Sequence, residues 1–277
     1  MRKWVLRIVF VSGFLLLCYP LVGNYVQRQH QERAVADYQT GVDTGSEEER
    51  QAEISKANEY NDMLFQSHGA IVDNLNTSIL SEESYQSLLD VSGTGVMGSI
   101  EIPKIDVDLP IYHGTSDEVL DLGVGHLEGS SLPIGGESTK SILTGHRGLP
   151  GSSLFTRLDE MEEGDLFFLD VMGETLAYKV CDIVTILPED VESLEIEAGA
   201  DKVSLITCTP YGINTHRLVV TGERVPYEEA EYNSIMSELP SIRELAFMIL
   251  PFALLGMVII IKIVDWRKSK HEKQEKS

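Results

Sequence analysis

Apolar residues follow three different patterns along the chain. Trp4–Gly23 is a continuous apolar run whose only charge is Arg7. Its 20 residues match one helical span across a hydrocarbon core of about 30 Å. Leu245–Val264 is a second run, interrupted by Pro251 and by Lys262. A lysine near a helix end can carry its ammonium to the headgroups. Residues 27–66 are rich in Gln, Glu, Ala and Arg and lack proline. Ala34, Tyr38 and Val42 keep helical spacing, Gly45 interrupts, and Ala52, Ile54, Ala57, Tyr60 and Leu64 resume it. This predicts an acidic helical stalk that lifts a domain off a bilayer and can pack on that domain. Residues 67–95, with Ser, Asn and Gly, read as a long loop with short helices, the kind of segment that often serves as a lid.

From Val96 the apolar runs become short. Gly98–Ile102, Leu109–Tyr112, Ser141–Thr144, Leu166–Val171, Thr175–Ile186, Val203–Cys208 and Arg217–Arg224 read as strands. Turn signals separate them, including Gly135-Gly136, Gly164-Asp165 and Met172-Gly173. Leu154–Met161 reads as a short helix. Many short strands with turns between them predict a closed barrel or a sandwich.

Charge assigns sides to this pattern. The chain carries a formal −22. Residues 24–242 hold 12 Lys and Arg against 40 Asp and Glu, a formal −28. So acidic a surface excludes nucleic acid as a partner, since phosphates need a basic footprint. Arg2 and Lys3 precede the first apolar run, and Arg267, Lys268, Lys270, Lys273 and Lys276 follow the second. The positive-inside rule then puts both termini in the cytoplasm and residues 24–242 outside. No small-residue cleavage site follows Gly23, so the first run reads as a retained anchor.

The chain has three cysteines, Cys18, Cys181 and Cys208. Their number and spacing give neither a disulfide framework nor a metal site, and no cofactor is expected. Cys18 lies in the first apolar run. Cys181 reads as a small core or barrel-wall residue. Cys208 ends a strand just before a Thr-Pro-Tyr-Gly turn, a rigid and partly exposed place suited to a nucleophile. A free thiol titrates near 8.5 and needs a partner to react as thiolate. His146 ends another strand between two glycines, and an imidazole there would activate a thiol and shuttle protons. His113, His126 and His216 compete for that role. Arg217 opens the strand after the Cys208 turn, and its guanidinium suits a developing oxyanion. A surface ion pair is the plainer reading of Arg217.

Two strings carry a resemblance. Leu143-Thr-Gly-His-Arg-Gly-Leu and Leu205-Ile-Thr-Cys-Thr-Pro-Tyr-Gly-Ile-Asn-Thr-His-Arg-Leu resemble the signature segments of sortases. The second resembles the class C, pilus-assembling form of Gram-positive bacteria. Gly98-Ser-Ile-Glu-Ile-Pro-Lys-Ile, Leu109-Pro-Ile-Tyr-His-Gly-Thr and Gly125-His-Leu-Glu-Gly-Ser-Ser-Leu-Pro are similar to that family as well. The resemblance implies a mainly β fold with a closed eight-stranded barrel, and the catalytic set His146, Cys208 and Arg217. It implies cleavage of an LPXTG-like sorting signal between Thr and Gly through a Cys thioester. The acyl group would pass to a lysine amine on a pilin, so the implied partners are pilin subunits. It also implies a lid anchored by an Asp-Pro-aromatic motif, but residues 60–98 contain no proline. Asp73 and Asp90 are candidates to stand in.

The expected plan is therefore a cytoplasmic N-terminus 1–3, a span 4–23, a stalk 24–66 and a loop or atypical lid 67–95. A catalytic barrel 96–226 follows, then a linker 227–243, a span 244–264 and a basic cytoplasmic tail 265–277. An L,D-transpeptidase would carry His-Gly-Cys at the nucleophile, whereas Thr207 precedes Cys208 here. A papain-like protease has its Cys before its His. A non-enzymatic receptor or adhesin gives no reason for strand-end Cys, His and Arg together.

Overall fold

A computed structural model describes residues 2–67, 82–149, 151–190, 194–235 and 242–275. The chain forms two compact units, Asn24–Glu238 and Met1–Gly23 with Leu239–Ser277.

The larger unit is built on eight strands: β1 Val96–Ile102, β2 Val107–His113, β3 Val124–His126, β4 Thr139–Thr144, β5 Leu166–Val171, β6 Glu174–Ile186, β7 Asp201–Thr209 and β8 His216–Val225. They close into a barrel in the order β1-β2-β3-β4-β7-β8-β6-β5. β2 with β3 and β4 with β7 pair in parallel; the other neighbours are antiparallel. All seven predicted strands are present. β3 escaped prediction because Val-Gly-His is too short to show alternation. Leu154–Met161 holds only a 3-10 turn, Leu158–Glu160, where a short helix was expected.

Alternation explains the walls. In β7, Val203 and Leu205 join the interior core, while Ile206 packs outside with Ile142, Val219 and Leu194. In β8, Leu218 and Val220 point inward and Val219 outward. Inside the barrel, Phe167 stacks on Tyr178 with ring centroids 5.6 Å apart.

Two helices pack against this barrel, as the sequence reading of the stalk allows. The helix α1 spans Arg2–Thr44 and α2 spans Glu47–Gln66. The break falls at the predicted Gly45, where Ser46 and Glu49 form a capping box. Tyr38, Val42, Ala57 and Tyr60 are buried in the barrel's core cluster. The Tyr38 hydroxyl accepts from Met172 N at 3.0 Å. Asn61 exchanges two hydrogen bonds with Leu132, accepting from its N at 2.7 Å and donating to its O at 3.3 Å. The apolar stripe of the expected stalk thus packs on the barrel as a helical pair.

The expected loop 67–95 is also partly anchored. Within it, α3 spans Glu82–Ser87 and buries Tyr85. Asp90 closes its own turn by accepting from Thr94 N at 3.0 Å. Asp73 lies outside the described residues. A further helix, α4 Asp117–Leu122, leads into β3, and α5 Glu229–Tyr232 follows β8.

In the smaller unit, the apolar part of α1 is exposed along its length, as a lipid-facing segment would be. Among the described residues, α1 is the one helix long and apolar enough to cross a membrane. The last helix, α6 Ile242–Glu275, has a shorter apolar stretch, Ile249–Val264. That is about 24 Å at 1.5 Å per residue.

Candidate active site

The chemistry-bearing residues sit at one end of the β4–β7–β8 wall. β4 runs beside β7 with Thr144 opposite Ile206. One residue on, Gly145 N donates to Ile206 O at 3.0 Å. The Thr207 hydroxyl donates to Gly145 O at 2.8 Å. His146 follows Gly145 and Cys208 follows Thr207, so this bonded pair immediately precedes both residues. On the other side of β7, Cys208 and Arg217 are direct Cα partners. Residues directly opposite on neighbouring strands share a face. Ile142, Ile206 and Val219 pack together on the outer wall, and steps of two along β7 and β8 reach Cys208 and Arg217. Cys208 and Arg217 therefore share the outer face of the barrel, and His146 stands in the loop that leaves the end of β4.

Local sequence makes this approach possible. A Cβ added at Gly145 would stand 2.7 Å from the Phe155 ring, so only glycine lets the His146 loop turn over that ring. Phe155 N then donates to His146 O at 3.1 Å. Gly148, at φ +74°, turns the loop back. Cys208 and His146 are both half-buried, and among the described residues neither side chain makes a hydrogen bond. Arg217 donates through Nη1 to His216 O at 3.1 Å and Asn214 O at 3.5 Å. Among the described residues it forms no ion pair, so the plainer reading of Arg217 finds no partner here.

The other histidines are occupied elsewhere. His126 is fully buried. It donates through Nε2 to Ser131 O at 2.9 Å and accepts at Nδ1 from the Tyr85 hydroxyl at 2.8 Å, an assignment its partners fix. Burial pushes its pKa down to about 4. His113 lies between Leu88 O at 2.7 Å and Gly95 O at 3.0 Å. Both serve to hold the α3 segment. His216 pairs with the Thr215 hydroxyl at 2.9 Å.

Cys181 is exposed at a β6 bulge, with its thiol donating to Thr221 O at 3.4 Å. It is a barrel-wall residue and not a core one. All three cysteines are free. Sequence reasoning missed Arg147. Its side chain is 7% exposed, donates through Nη1 to Thr209 Oγ1 at 3.2 Å, and pairs with Asp159. Its guanidinium lies 5.9 Å from the Tyr211 ring centroid. Nothing in the pattern marks an arginine between strand end and turn as buried.

Known proteins are similar to this chain in sequence and fold. A protein-family model described as Sortase domain matches residues 100–225. Sortase D of Bacillus subtilis (strain 168) is 31% identical over 131 residues, which are 46% of this chain and 63% of that relative, less than two thirds of its length. The crystal structure of sortase C1 from Streptococcus agalactiae is 48% identical with a TM-score of 0.67, covering 71% of this chain and all of that one. Sortase C of Clostridium perfringens, solved with the C-terminal cell wall sorting motif, is 40% identical with a TM-score of 0.60, covering 70% and 99% of the two chains. With the closed barrel and a strand-end cysteine, these matches mean that the chain belongs to the sortase family of cysteine transpeptidases.

Proposed function

We propose that the chain is a pilus-assembling sortase of the class C type, acting through Cys208, His146 and Arg217. The observation that carries this reading is the strand register: Cys208 is paired with Arg217 in β7–β8, and β4, whose last paired residue Thr144 lies opposite Ile206, ends two residues before His146. The Cys208 thiolate attacks the Thr carbonyl of an LPXTG-like signal, and Arg217 donates to the oxygen as it gains charge. The tetrahedral adduct collapses, the Thr–Gly bond breaks, and His146 gives its proton to the departing glycine amine. A thioester links enzyme and pilin. A lysine amine of the next pilin attacks it and loses a proton to His146. An isopeptide bond forms, the sulfur departs as thiolate, and the starting pair of thiolate and protonated His146 is restored.

The chemistry calls for a substrate and an acceptor on the same side of the membrane. Basic residues flank the outer ends of both apolar runs. That supports a double-pass protein with both termini in the cytoplasm and the barrel outside. A protease added to intact cells should reach residues 24–238 and spare tags at both ends; cleavage of either tag would refute the topology.

The decisive assay uses the full chain in detergent with a sorting-signal peptide and hydroxylamine, an amine that resolves the thioester to a hydroxamate. Wild type should give product and Cys208→Ala none. Product from the Ala variant would sink the nucleophile assignment. Arg217→Lys should keep the fold yet lose most activity, about tenfold or more, because lysine lacks the guanidinium fork. Near-normal rates in Arg217→Lys would remove the oxyanion role.

A further inference from the structure

We infer that Arg147 is a positioning residue, whose guanidinium locks the loop carrying His146 to the turn following Cys208. This inference rests on the reading of Cys208 and His146 as the reacting pair. The neighbours of those two residues are cross-bonded on both sides. Before them, the Thr207 hydroxyl donates to Gly145 O at 2.8 Å. After them, Arg147 Nη1 donates to Thr209 Oγ1 at 3.2 Å. His146 thus sits between two fixed points, Gly145 and Arg147, and Cys208 sits between the matching points Thr207 and Thr209. The β4–β7 backbone ladder ends at the bond from Gly145 N to Ile206 O. Beyond that bond, the Arg147 bridge fixes the spacing of the two segments.

The rest of the arginine's surroundings belong to the same lock. Asp159 neutralises its charge from the segment that leads to β5. The Tyr211 ring lies beside the guanidinium, in the turn just after Cys208. At Gly148 an added Cβ would meet that ring at 2.9 Å, so the two loops touch directly. The Gly148 N–H donates to Thr156 Oγ1 at 3.1 Å and closes the His146 loop on itself. Arg147 Nε is buried without an acceptor. A buried charge with one unpaired donor is costly to the fold, so arginine is a poor choice for filling space alone. A planar fork that reaches two loops at once does explain the choice.

The test compares wild type, Arg147→Ala, Thr209→Val and the double variant as full chains in detergent, with Cys208→Ala as control. Three readouts are taken: kcat and KM for hydroxamate formation, the pH midpoint of Cys208 alkylation by iodoacetamide, and Tm. Arg147→Ala should lower kcat roughly ten- to a hundredfold, the cost of a misplacement of about 1 Å, with KM within about twofold. The alkylation midpoint should move, because the imidazole no longer stands at its set distance from the sulfur. Thr209→Val removes one oxygen and keeps the shape, and it should reproduce part of the kcat loss. The double variant should lose less than the combined single effects, since both changes break one bridge. A lower Tm with wild-type kcat and alkylation midpoint would overturn the inference, and so would a rise in KM alone. Should Arg147→Ala fail to fold, Thr209→Val decides by the same readouts. An active Cys208→Ala would instead bring down the underlying catalytic reading, and the inference with it.

Discussion

At the scale of single residues, two buried polar groups have calculable consequences. The Thr207 hydroxyl points into the barrel wall and bonds Gly145 O. Thr207→Val keeps the volume and leaves that carbonyl without its donor, at a cost of about 1–2 kcal/mol. Urea unfolding of the variant should show a lower midpoint with an unchanged slope. An unchanged midpoint would mean that water replaces the bond. His126 is neutral, and its pKa is lowered from 6.5 to about 4 by burial. Between those values the unfolded chain binds a proton that the folded chain refuses. The stability this histidine contributes is therefore present above about 6.5 and is lost as pH falls towards 4, by up to about 3 kcal/mol. Tm should fall over that window in wild type and fall less in His126→Gln. Equal slopes for the two proteins would exclude His126 as the cause.

At the scale of elements, helices α1 to α3 behave as straps around the barrel. Tyr38, Tyr60 and Tyr85 each bury a ring and spend the hydroxyl on a backbone N–H, from Met172 at 3.0 Å, Gly129 at 3.3 Å and Gly114 at 3.0 Å. Tyr85→Phe should loosen α3 alone, raising amide exchange across 82–90 while the β7–β8 amides stay protected. Uniform loss of protection would show that α3 is not a separate unit. These straps mark the limit of what the sequence reveals. The spacing of Tyr38, Val42, Ala57 and Tyr60 announces helices, but periodicity cannot say what the stripe meets. The same limit applies to β3, whose three residues borrow their regularity from β2 and β4, and to Leu154–Met161, where Phe155 is drawn under the His146 turn.

At the scale of the molecule, the chain divides into two compact units. Residues 24–238 hold the barrel, the straps and the three candidate catalytic residues. Expressed alone, this segment should unfold in one cooperative step. Starting instead at residue 82 should give aggregation, because Val96, Met97, Val171 and Met172 share the core with the missing helices. The candidate site was legible because Cys208 and Arg217 lie nine residues apart on one hairpin, and because the string around His146 has a recognisable form. Arg147 was not legible, because its role depends on a partner loop 62 residues away.

That separation has a consequence for biogenesis. β4 and β7 run side by side in parallel, so no short turn can bring them together. The imidazole and the sulfur remain strangers until the intervening hairpin has been threaded and the seventh strand has been seated. In the proposed reading, the thiol therefore stays unarmed until β7 is seated beside β4.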